Sequence, residues 1–125
     1  MTMQKILNFI KSHWLPLTVV ILTAITILSL SPEEKLPETP GSDKLHHYIA
    51  YAFLALPVAL RRPRKWLMLC LIFVAWSGTI ELLQPLVNRC RDIFDLLANA
   101  TGVASGILIG VLVNRFIRAR TVPFR

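Results

Sequence analysis

Four apolar runs follow one another in a chain of 125 residues and leave little sequence for anything else. They cover approximately residues 14–31, 45–60, 66–87 and 93–114. A span of the hydrocarbon core needs about 20 predominantly apolar residues. The first, third and fourth runs reach that length or come near it. The second is shorter and contains Pro57, which a packed bundle tolerates because neighbours re-satisfy the freed backbone groups. Hydrophobic residues make up 54% of the chain and charged residues 17%, more apolar surface than a soluble domain of this length can hide. These runs predict an all-α fold: a four-helix transmembrane bundle in one domain spanning residues 1–125.

The charges suggest an orientation for such a bundle. Four crossings put the N-terminus, the 61–65 turn and the C-terminal tail on one side, with Lys5, Lys11, Arg61, Arg62, Arg64, Lys65, Arg115, Arg118, Arg120 and Arg125. The other side holds Lys35, Lys44, Arg89 and Arg91. The positive-inside rule then predicts both termini in the cytoplasm. It also accounts for the net charge of +7 through contact with anionic headgroups, without nucleic acid. The first run has a competing reading as a signal peptide, with Lys5 and Lys11 as its basic start, but it is long for one. Cys70 and Cys90, at the ends of one helix and a turn, would stand roughly 30 Å apart, so no bridge between them is expected.

The acids and amides inside the runs ask for an explanation, because a charged side chain facing lipid costs at least ~2.5–3.5 kcal/mol. Glu81 lies about six residues from the end of the third run, roughly 9 Å below the boundary. Gln84 is one turn above it. In the returning fourth run, Asp92, Asp95, Asn99, Gly102 and Gly106 follow steps of 3, 4, 3 and 4 and share one face. The second run begins with Asp43, Lys44, His46 and His47, and Tyr51 is one turn below His47. Three helices therefore deliver polar groups to one level of the outer leaflet. There Glu81 or Asp95 can pair with Arg89, Arg91, Lys44 or a histidine. Each residue also has a purely structural reading. Gln84 and Asn99 serve as interhelical glue, Asp92 as a helix cap, His46 as an interfacial residue, and His47 as a structural donor. Gly102, Gly106 and Gly110 make a small-residue stripe that brings two backbones close, here expected between the fourth and third spans, holding Asn99 near Glu81.

Three pieces in order, "SDKLHHYIAY" (Asp43, Lys44, His47, Tyr51), "ELLQ" (Glu81, Gln84) and "RCRDIFDLLANATGVASG" (Arg89, Asp92, Asp95, Asn99, Gly102, Gly106), resemble the VanZ-like membrane protein family over residues 42–106. His46 departs from the family's pattern, and His47 is taken as the inward-facing histidine. The resemblance implies a small multi-pass protein of the bacterial inner membrane. Its founding member is associated with resistance to the glycopeptide teicoplanin, a property that does not transfer automatically to another member.

Two functions are weighed from these residues. In the first, the cluster binds a cell-envelope lipid headgroup or lipid-linked precursor, with Arg89, Arg91 and Lys44 on phosphate and Glu81, Asp95 and Asn99 orienting them. In the second, a membrane-embedded enzyme acts on a lipid-linked substrate, with Glu81 or His47 as acid/base. Asp43, His47, Glu81 and Asp95 carry donor types that suit a divalent cation, but no contiguous metal motif supports one, and no metal or cofactor is expected. The expected partners are the lipid bilayer, an anionic or lipid-linked headgroup, and a membrane-protein partner or a second copy. Transport is disfavoured, because the polar groups gather in only one leaflet.

Overall fold

The computed structural model of the chain describes residues 2–31, 43–87 and 93–121. Five α-helices account for nearly all of them: α1 (Met3–Ser12), α2 (Trp14–Ser29), α3 (Asp43–Arg61), α4 (Trp66–Leu83) and α5 (Ile93–Thr121). A 3-10 turn, Gln84–Val87, extends α4.

Local chemistry sets most of the boundaries. Thr2 starts α1, its Oγ1 accepting the Lys5 N–H at 3.2 Å. The break between α1 and α2 falls at His13, and the two helices bend by 77° there. Pro16 explains the position. It has no N–H to offer the Ser12 carbonyl, and its ring crowds that carbonyl, so a straight helix cannot pass. The end of α3 is equally well marked. Arg62 adopts φ 53°, its N–H returns to the Val58 carbonyl at 2.8 Å, and Pro63 prevents continuation. The Arg62 guanidinium then lies 5.4 Å from the centre of the Trp66 ring, joining the turn to the start of α4.

The core is built around α3. Tyr51, Leu54, Ala55, Val58 and Ala59 are all buried there. Phe73 and Ile80 of α4, Val103 of α5 and Ile25 of α2 close on them. The longest seam runs between α3 and α5. A Cβ on Gly106 would stand 2.5 Å from the Ala52 carbonyl oxygen, and one on Gly110 would stand 2.5 Å from the Ala59 Cβ. One on Gly102 would run into the Tyr48 carbonyl. The glycine stripe therefore faces α3, not the α4 helix expected from the sequence. Its far end is fastened by Asn114, whose Nδ2 donates to the Leu60 carbonyl at 3.0 Å and the Ala59 carbonyl at 3.4 Å. These carbonyls belong to the last turn of α3 and have no partner within the helix.

The four-span bundle expected from the apolar runs is overturned, and with it the two-sided count of bases that placed both termini in the cytoplasm. Among the described residues, two stretches, Trp66–Val87 and Ile93–Ile117, are long and apolar enough to cross a membrane. A third is reached only if the bent pair α1 and α2 counts as one span. Two physical reasons account for the difference. α2 alone has 16 residues, about 24 Å of helix, short of a hydrocarbon core of about 30 Å. α3 runs unbroken through Pro57, but Asp43, Lys44, His46 and His47 occupy its first turns, and protein covers Tyr51, Leu54, Ala55, Val58 and Ala59, while Leu45, Ile49 and Phe53 stay exposed. The chain is a multi-pass membrane-embedded protein whose second apolar run serves chiefly as the core.

Candidate functional site

The start of α3, the end of α4 and the start of α5 meet at one end of the bundle. On α4, Cys70, Phe73, Ser77, Ile80, Glu81 and Gln84 turn inward at helical spacing, which is why an acid and an amide in an apolar run become buried. On α5, Asp95 and Asn99 share the inward face with Gly102. On α3, Lys44, His47 and Tyr51 lie on the side that meets them.

Asp95 links α5 to α3. Its Oδ1 lies 3.7 Å from Lys44 Nζ and its Oδ2 lies 3.9 Å from His47 Nε2. The Lys44 side chain is 48% exposed and that of Asp95 13%, so the pair bridges the mouth and the interior. His47 attracts the carboxylate as an ion only when protonated. Deeper in, Asn99 Nδ2 donates to Ser77 Oγ at 2.6 Å, joining α5 to α4. The Tyr51 hydroxyl faces Ser77 and the Glu81 carboxylate. Gln84 points the other way, its Nε2 donating to the Ser29 carbonyl at 3.2 Å and so tying α4 to the end of α2.

Acceptors are left over. Gln84 Oε1, Asp95 Oδ1 and Asn99 Oδ1 are buried and have no hydrogen-bond partner. At 3.7 Å, Lys44 is beyond hydrogen-bonding distance of Asp95 Oδ1. Leaving a buried acceptor unpaired costs roughly 1–3 kcal/mol. A site with several such oxygens has unmet affinity for N–H and O–H donors. Among the described residues, no group of three His, Cys, Asp or Glu side chains is placed to hold a metal ion.

The structure thus gathers Lys44, His47, Tyr51, Glu81, Asp95 and Asn99 at one end, with Gln84 on the flank toward α2. Arg89, Arg91 and Asp92 lie outside the described residues, as do the acidic 32–42 connection and the Asp43 side chain. Sequence reasoning passed over three participants. Ser77 is 1% exposed and sits four residues before Glu81, and that spacing was the available signal. Asn114 carried no signal, because its role depends on where α3 ends. The Ser29 carbonyl is a backbone group and cannot be read from residue type. The Tyr48 hydroxyl hydrogen-bonds to Ser105 across the glycine seam.

Fold and site together define a small all-α membrane protein with a buried, acceptor-rich polar cluster at one end of its crossing helices. The VanZ/LLP1 family model matches residues 2–114, nearly the whole chain, and the protein belongs to that family. No curated protein and no solved structure is similar enough to match.

Proposed function

We propose that the cluster binds the headgroup of a cell-envelope lipid or lipid-linked precursor. The observation that carries this reading is the pair of buried, unpartnered oxygens on Asp95 and Asn99, the first of them 3.7 Å from the half-exposed Lys44 cation. Such a site suits a ligand with both phosphate and hydroxyl or amine donors. Lys44, with Arg89 and Arg91 of the adjoining connection, meets the phosphate. The orphaned oxygens accept from the donors, and Glu81 and Tyr51 fix the floor. In this reading the cluster opens to the outer leaflet of a bacterial inner membrane. The enzymatic reading, with Glu81 or His47 as acid/base, needs one of them free to face a substrate. His47 instead pairs with Asp95, and Glu81 sits beside Tyr51, so binding is better supported.

Phosphatidylglycerol and phosphatidylcholine make the test, because both carry phosphate and only the first carries hydroxyl donors. Purified protein in nanodiscs is expected to retain phosphatidylglycerol in preference, read by native mass spectrometry. Lys44→Ala and Asn99→Ala are each expected to weaken that retention about tenfold, the scale of one lost charge-assisted or buried hydrogen bond. Equal retention of the two lipids, unaltered by either substitution, would remove the cluster from this role.

A further inference from the structure

We infer that α1 is an interfacial anchor that lies flat on an anionic lipid surface at the end of the bundle opposite the polar cluster. The Gln84–Ser29 hydrogen bond puts the end of α2 at the cluster. The start of α2 is then up to roughly 22 Å away at 1.5 Å per residue. From there α1 departs at 77°, nearly perpendicular to α2. Its residues are sorted for that position. Met3, Ile6, Leu7, Phe9 and Ile10 share one broad arc, and Gln4, Lys5, Asn8, Lys11 and Ser12 share the other. The bundle covers only part of the apolar arc: Leu7 is buried, while Met3, Ile6 and Phe9 are exposed. A short helix with an uncovered apolar edge and flanking lysines matches what settles into the headgroup boundary.

Charge selects the occupant. Lys5 and Lys11 stand on α1, the basic 61–65 turn and Arg115 stand at the matching ends of α3, α4 and α5, and every acid in the sequence falls within 33–43 or at 81, 92 and 95. A protein partner with an apolar groove would satisfy Ile6 and Phe9, but it would not account for a helix end carrying bases and no acid. An anionic leaflet satisfies both, because each base near such a surface contributes about 1 kcal/mol.

The full chain, with Cys70→Ala and Cys90→Ala, takes a nitroxide at Gln4→Cys, Ile6→Cys, Asn8→Cys or Phe9→Cys and is reconstituted into phosphatidylcholine vesicles with or without phosphatidylglycerol. Collision with oxygen, compared with a water-soluble nickel chelate, reports depth. Positions 6 and 9 are expected to read as immersed and positions 4 and 8 as aqueous when phosphatidylglycerol is present. Lys5→Gln with Lys11→Gln, labelled at position 9, should reduce the immersed fraction relative to the free one by about fivefold per charge. Equal exposure at all four positions overturns the inference, as does immersion that ignores both the anionic lipid and the two lysines. Lipid retention by Lys44→Ala reads the opposite end of the molecule, so the two ideas fail separately.

Discussion

At the scale of single residues, each buried donor of the network has an acceptor, and it is acceptors that are in excess. Ser77→Ala removes the acceptor of the Asn99 amide and leaves its N–H groups buried and unmet. The expected loss is about 1–3 kcal/mol, seen as a lower unfolding midpoint in detergent. Thr79→Ala is the comparison: the exposed Thr79 hydroxyl bonds only the Ala75 carbonyl one turn back, and its removal should leave the midpoint nearly unchanged. This scale was the most legible in the sequence. Glu81, Asp95 and Asn99 stood out because an ionised or amide group in an apolar run needs a partner, and the helical period fixed their shared faces. Ser77 was missed because a serine is cheap in a helix facing lipid or protein, so its presence raised no question.

At the scale of helices, the α3–α5 seam rests on the absence of side chains. Gly106→Ala drives a Cβ to 2.5 Å from the Ala52 carbonyl oxygen, and backbone on both sides must move. Overpacking of this kind destabilises by about 1–3 kcal/mol. Gly78→Ala meets nothing within 4 Å, and on helix propensity alone should raise stability by up to about 1 kcal/mol. Thermal unfolding of the two variants side by side checks the difference. The stripe was readable as a close contact, but its partner was not. Small residues say that something comes near, and which helix comes near is decided by the fold. The break between α1 and α2 was legible in Pro16, whose missing donor stops a helix one turn upstream, yet the apolarity of the run around it hid the bend.

At the scale of the molecule, apolar length was mistaken for lipid contact. An apolar helix face fits the interior of a bundle as well as a bilayer, and the face of α3 that carries Tyr51, Leu54, Ala55, Val58 and Ala59 belongs to the interior. A lipid-borne diazirine should therefore label Leu71 and Leu108, which face outward, and spare Leu54 and Val58, which are fully buried. Mass spectrometry of the cross-linked peptides reads the pattern. Substantial labelling of Leu54 or Val58 would mean that α3 is lined by acyl chains and the core lies elsewhere.

The α3–α5 pair is fastened at both extremities: Asp95 holds Lys44 and His47 near the mouth, and Asn114 grips the last carbonyls of α3 at the far side. With backbone pressed on backbone in between, sliding or bending of one rod alone is opposed along the whole seam. A displacement at the mouth is expected to reach the opposite arm, where Arg61 and Arg115 stand, as a shared tilt of the two.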